Sequence, residues 1–168
     1  MHYHAEVWIP NNENVKEQIE AAMEPYCEDC KGFWDWYQIG GRWSGSHIPD
    51  YNPNEDPKNL EICSLCDGTG TRPDMEVTDG CNSCHGNGVV ISWPTQWEPH
   101  QRDAIKVSEL PASMSAYTLV LPDEVLHNRE WDGETLVKGK LPGNPNIKDI
   151  LASKSITGGY LVTVDYHC

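Results

Sequence analysis

Basic residues are scarce in this chain. Twelve lysines and arginines stand against 26 aspartates and glutamates, a formal charge of −14 over 168 residues. Such a surface repels phosphate backbones, and only Lys58 and Arg72 lie near the most cysteine-rich stretch, so direct binding of nucleic acid is not expected. No apolar run of 18 residues exists, which argues against a membrane-spanning helix. The chain opens on His2, His4 and Glu6 where an export signal would have a basic region and an apolar run. The expected setting is therefore a reducing cytoplasm. Also missing are Gly-x-Ser-x-Gly, His-Glu-x-x-His and Gly-x-x-x-x-Gly-Lys, the marks of an activated serine, a catalytic zinc and a phosphate loop. Phenylalanine occurs once, but seven Trp and seven Tyr supply aromatic bulk, and hydrophobic residues make up 38% of the chain. That is enough for one modest core, in one domain or one domain carrying an insertion.

What the chain does have is a cysteine phrase written twice. Cys63-Ser-Leu-Cys66-Asp-Gly68-Thr-Gly70 recurs as Cys81-Asn-Ser-Cys84-His-Gly86-Asn-Gly88. Two such knuckles bring four thiolates to one ion, the donor set of tetrahedral zinc, and four cysteines leave no open position for a catalytic water. One structural zinc per chain, on Cys63, Cys66, Cys81 and Cys84, is the expectation. The glycines fit it, because backbone amides must turn inward toward the sulfurs and glycine takes positive φ freely. The fourteen residues between Cys66 and Cys81 suffice for a short hairpin that folds one knuckle onto the other. Redox dithiols or disulfides are the competing chemistry of the same spacing. A third pair, Cys27 and Cys30, lacks the second glycine. No fourth ligand stands at a recognisable spacing, so Cys27, Cys30 and Cys168 read as reduced thiols rather than a second metal site.

The repeated Cys-x-x-Cys-x-Gly-x-Gly phrase resembles the zinc repeat of DnaJ-type co-chaperones, which carries four copies and two ions; two copies here imply one ion. The His-Pro-Asp signature of a J domain is absent. A second resemblance lies outside the cysteines. The box Trp34-Asp35-Trp36-Tyr37-Gln38-Ile39-Gly40-Gly41-Arg42-Trp43, with the closing stretch Leu161-Val162-Thr163-Val164-Asp165-Tyr166-His167, looks like a family of small bacteriophage and prophage proteins without an assigned activity. This resemblance covers the first 45 residues and roughly the last 50, and the segment between them departs from it. The expected organisation is one domain from residues 1–58 and 93–168, interrupted by a zinc module at 59–92.

Read in order, Tyr3, Ala5, Val7 and Ile9 alternate with His2, His4, Glu6 and Trp8, the pattern of a half-buried strand. Asn14 and Glu17 form a candidate capping box for a helix to about Met23, with Val15, Ile19, Ala22 and Met23 as its buried stripe and Pro25 as its stop. Glu13, Glu17, Glu20 and Glu24 line the solvent side. Strands are expected over 103–110 and 116–121, a hairpin around Asp132-Gly133, a short helix at Ile147, Ile150 and Leu151, and a last strand from Tyr160 to His167. The fold class is α+β: an antiparallel sheet with two helices, a split βαβ or ferredoxin-like arrangement as candidate topology, and an inserted four-cysteine zinc hairpin. The two terminal strands are expected to pair at the centre.

Candidate binding residues are Asp35, Trp36, Arg42, Trp43, Asp165 and His167. The Gly40-Gly41 pair permits a sharp turn that joins Asp35 to Arg42 among tryptophan rings. Pairing of the terminal strands would add His2 and His4, and histidines grouped with carboxylates bind metals or move protons near neutral pH. Three functions follow, in order of support. The first is a non-enzymatic, zinc-stabilised phage accessory protein that binds a host protein, such as one of a defence system. The second is a small-ligand binder or hydrolase at the aromatic box, and the third an acidic mimic of nucleic acid.

Overall fold

The computed structural model describes residues 1–27, 32–52, 54–72, 80–92, 103–112, 114–131, 136–141 and 146–168. Its elements in chain order are β1 (His2–Ile9), α1 (Val15–Met23), β2 (Trp36–Ile39), β3 (Leu60–Ile62), β4 (Val89–Ile91), β5 (Ala104–Lys106), β6 (Thr118–Leu121), β7 (Glu124–His127), β8 (Arg129–Trp131), β9 (Leu136–Lys138), α2 (Ile147–Ser153) and β10 (Tyr160–His167). They form two compact units, Met1–Tyr51 with Thr95–Cys168, and Asn52–Pro94.

The first unit is α+β. Its six-stranded sheet runs β2-β10-β1-β6-β7, and β5 shares the outer edge of β10 with β2. The two long terminal strands pair at the centre, antiparallel over all eight residues of β1, from His2 opposite His167 to Ile9 opposite Tyr160. Because β2 is also antiparallel to β10, it runs parallel to β1 with β10 between them. With α1 as the connection, this is a split βαβ unit. On the other edge of β1 the neighbour β6 runs parallel, where a ferredoxin-like sheet has an antiparallel strand. The arrangement is thus a split βαβ unit with a mixed edge.

Alternation in β1 decides what α1 packs against. Ala5, Val7 and Ile9, with Val162, Val164 and Ile39, meet Val15, Ile19 and Met23 of the helix in one buried cluster. Each Val, Ile or Met side chain among them contributes about 1.5–3 kcal/mol on leaving water. The helix starts without the expected capping box. Asn14 takes a left-handed backbone (φ 46°) and makes no side-chain cap; ahead of the helix, Asn11 Oδ1 holds the turn by accepting from the Glu13 amide at 3.0 Å and from Gln18 Nε2 at 3.1 Å.

The opposite face of the sheet divides in two. Toward Trp8 it is apolar, and Leu119, Leu121, Leu126 and Leu161 pack with Ile147 and Leu151 of α2. Asn146 caps α2 by accepting from the Asp149 amide at 3.4 Å. Toward His2 the face is polar, yet Glu6, Thr163 and Asp165 are each no more than 1% exposed. β1 is therefore covered on both sides rather than half-buried. Residues 40–47 cover the polar half, and burial is tolerable because nearly every polar group there finds a partner.

One expected strand differs in detail. The segment 103–110 is a strand only over Ala104–Lys106 and then winds into a 3-10 turn, Val107–Glu109. Downstream, β7 pairs with β6, and β8 pairs with β9. The anticipated Asp132-Gly133 turn lies outside the described residues. Among the described residues, no helix is long and apolar enough to cross a membrane.

The second unit contains the cysteine phrases. They are closed by a two-stranded antiparallel ladder in which Leu60, Glu61 and Ile62 face Ile91, Val90 and Val89.

Candidate metal centre and a buried histidine network

The four cysteine sulfurs of the second unit lie within 4.8 Å of one another and are buried. Cys63 and Cys81 approach to 3.8 Å, Cys66 and Cys84 to 3.7 Å. Among the described residues this is the one group of three or more His, Cys, Asp or Glu donors close enough to share an ion. The two phrases repeat in space as in sequence. The Gly70 amide donates to Cys66 Sγ at 3.3 Å and the Gly88 amide to Cys84 Sγ at 3.2 Å. The Cys63 amide donates to Gly88 O, and the Cys81 amide to Gly70 O.

This reciprocity explains the second glycine of each phrase. A β-carbon on Gly70 would fall 2.3 Å from Gly86 O, and one on Gly88 would fall 2.3 Å from Gly68 O. Each knuckle is held against the backbone of the other, and both positions have φ of 75°. Burial raises the Cys63 and Cys66 thiols. Donation from the Leu65 amide and nearby groups nevertheless draws Cys63 down to about 6, while its crowding neighbours push Cys66 up to about 11. Thiols this close compete for ionisation, and a dication at their centre favours all four thiolates. The cluster can hold a metal ion in a closed shell. Of the third pair, Cys27 is half-buried and Cys30 lies outside the described residues.

In the first unit, polar residues of β1 and β10 form a network under residues 40–47. Glu6 is at its centre. Its carboxylate accepts from His4 Nε2 at 2.7 Å, His47 Nε2 at 2.9 Å and Thr163 Oγ1 at 3.0 Å. Burial, the largest influence, would raise the Glu6 carboxyl. The His47 charge and the hydrogen bonds from both histidines outweigh it and hold the group at about 2. His47 is raised in turn, because the charges of Glu6 and Asp103 and the Glu6 hydrogen bond overcome its own burial. Its Nδ1 is buried with no partner among the described residues. Asp103, also buried, accepts from Ser44 Oγ and from the Gly45 amide.

Asp165 bridges toward the edge of the sheet. One oxygen accepts from His2 Nδ1 at 2.9 Å and the other from the Arg42 amide at 3.1 Å. A β-carbon on Gly41 would lie 2.4 Å from Asp165 Cβ, so glycine there lets the turn lay the Arg42 amide onto the Asp165 carboxylate. His167 Nδ1 donates to Asp35, at 2.8 and 3.0 Å from its two oxygens. Trp36 meets the His2 ring edge-on at 5.7 Å, and Trp43 stacks on His4 at 5.7 Å.

The structure thus gathers all six candidate residues around the β2, β10 and β1 strand ends, with a different wiring. The expected Asp35 to Arg42 pair does not form. Asp35 pairs with His167, and Arg42 contributes its backbone amide while its side chain is exposed. The turn aims the Arg42 amide, not the guanidinium, at the Asp165 carboxylate. Sequence reasoning passed over Glu6, His47, Asp103 and Thr163 as site residues. Glu6 had a signal, since it stands on the same face as His2 and His4; His47 and Asp103 had none, because only the tertiary fold brings them in.

On the α1 side, a cavity of about 350 Å³ is lined by Lys16, Ile19, Glu20, Glu24, Trp34, Tyr37 and Ile39. The acidic stripe therefore splits, with Glu20 and Glu24 turned to the cavity rim. No protein-family profile, curated protein or solved structure matches this chain.

Proposed function

We propose that this is a zinc-stabilised, non-enzymatic binding protein of the phage accessory type, and that its target is a host protein, such as a component of a defence system. The carrying observation is the second unit's combination of a closed cysteine cluster with a solvent-facing apolar surface. A tetrahedron with metal to sulfur bonds of about 2.3 Å has edges of about 3.8 Å. Two of the six sulfur separations, 3.8 and 3.7 Å, match that figure, all six lie within 4.8 Å, and four thiolates favour zinc among divalent ions. The closed shell supports a structural rather than a catalytic ion.

On the same unit, Ile62 is 72% exposed, Leu65 52%, Val89 39% and Ile91 37%. Ile62 and Val89 are directly paired across the ladder, and Ile91 lies one pair further along the same face. Residues 52–94 contain seven acidic and two basic residues. An exposed apolar ladder face in a segment of net negative charge fits a basic protein surface that offers apolar side chains. Ile62→Asp and Ile91→Asp variants test this in native mass spectrometry of complexes recovered from bacterial lysate. The expected result is one stoichiometric protein partner held by the wild type and lost by both variants, with zinc content unchanged. Equal capture by all three proteins would contradict it.

A second reading is favoured by the convergence of Asp35, Trp36, Trp43, Asp165 and His167. These residues with the Arg42 amide suit a small polar ligand or a hydrolytic site.

A further inference from the structure

His2 and His167 face each other directly across the central ladder, so their side chains rise from the same side of the sheet. Their rings are 5.4 Å apart and inclined at 71°. In both, Nδ1 is occupied by a carboxylate, Asp165 for His2 and Asp35 for His167. A carboxylate accepting from Nδ1 fixes the tautomer that leaves the Nε2 lone pair outward, orients the ring, and makes that nitrogen a better donor. This is the support found behind metal-bound imidazoles. Asp165 is itself fixed, 1% exposed and held by the Arg42 amide, while Trp36 walls one side of His2. Neither Nε2 has a hydrogen-bond partner among the described residues.

We infer that His2 and His167 form a second, open metal site for a borderline divalent transition ion, zinc or nickel, held by the two Nε2 atoms with water in the remaining positions. Imidazole is the ligand such ions prefer when thiolates are absent. Asp35 and Asp165 supply two negative charges that balance the dication. Both rings reach solvent, with side-chain exposures of 27% for His2 and 41% for His167, so the ion can exchange. Unlike the cysteine cluster, this site keeps coordination positions free for a ligand, which gives the second functional reading a chemical basis. It is independent of whether the cysteines hold zinc.

The test uses the tag-free full chain, reduced and as isolated, titrated with nickel and followed by calorimetry and native mass spectrometry. Wild type is expected to take up one added nickel with the cysteine-bound ion undisturbed. His167→Ala and His2→Ala should each weaken that uptake at least tenfold, and Asp165→Asn by about 10- to 100-fold. His85→Ala, an exposed histidine of the other unit, should leave it unchanged. Should a variant misfold, nitrogen-proton spectra of wild type with added zinc decide the matter. The His2 and His167 Nε2 resonances should shift, and those of His4 and His47 should not. Absence of nickel uptake by wild type, equal uptake by His167→Ala, or unmoved His2 and His167 resonances would each overturn the assignment. Metal content at the cysteines is read separately, so failure there cannot be mistaken for failure here.

Discussion

Replacing Glu6 by glutamine keeps the shape of a fully buried acidic side chain and removes its charge. The carboxyl, ordinarily near 4.5, is held at about 2 in the fold. That drop corresponds to about 3 kcal/mol of stability, in line with the cost of breaking a buried ion pair from one side. Its dependence on pH follows from the two directions of shift. Glu6 is depressed, so its contribution is full above 4.5 and is lost as pH falls through about 2. His47 is raised above its ordinary 6.5, so its contribution is full below 6.5 and is lost as pH rises through the folded value. Both contribute between about pH 4.5 and 6.5. Urea unfolding of wild type and Glu6→Gln, run at intervals from pH 3 to pH 9, should show a deficit of about 3 kcal/mol at pH 5.5 that narrows toward both ends. A variant as stable as wild type at pH 5.5, or a deficit that ignores pH, would refute the reasoning.

Arg42→Ala should unfold within about 0.5 kcal/mol of wild type, because the exposed side chain has no ion-pair partner among the described residues and the amide on Asp165 is retained. A loss of several kcal/mol in the same denaturation assay would show the guanidinium to be tied into the fold. Gly88→Ala places a β-carbon on the Gly68 carbonyl and should loosen the knuckles, read as faster loss of metal to a chelator. Unchanged metal release would count against the packing of the two phrases. Duplex DNA and RNA should not bind at physiological salt, given the charge of −14, and micromolar binding of an unrelated duplex in a gel shift would contradict that.

Local pattern carried much of this molecule. Alternation in the two terminal strands was enough to place them together at the centre of the sheet, and the stripe Val15, Ile19 and Met23 marked the buried side of α1. The repeated phrase revealed its cysteine cluster because spacing and glycines encode the knuckles within a few residues. Features set by distant contacts were not legible. His2, His4 and Glu6 read as a solvent face, since nothing in their own segment reports that residues 40–47 fold over them and bring His47 onto Glu6. Likewise Asp35 and Arg42 look like partners in sequence, but His167 reaches Asp35 from 132 positions away. The capping box failed for a local reason, the left-handed backbone of Asn14, which composition does not announce.

Metal content decides the central claim most directly. Reduced protein dialysed exhaustively against metal-free buffer should retain one tightly held zinc per chain, and Cys63→Ser should retain none while losing the β3 and β4 ladder from its amide spectra. Reduced wild-type protein that holds no metal at the cysteines, or that carries a disulfide among Cys63, Cys66, Cys81 and Cys84, would contradict it.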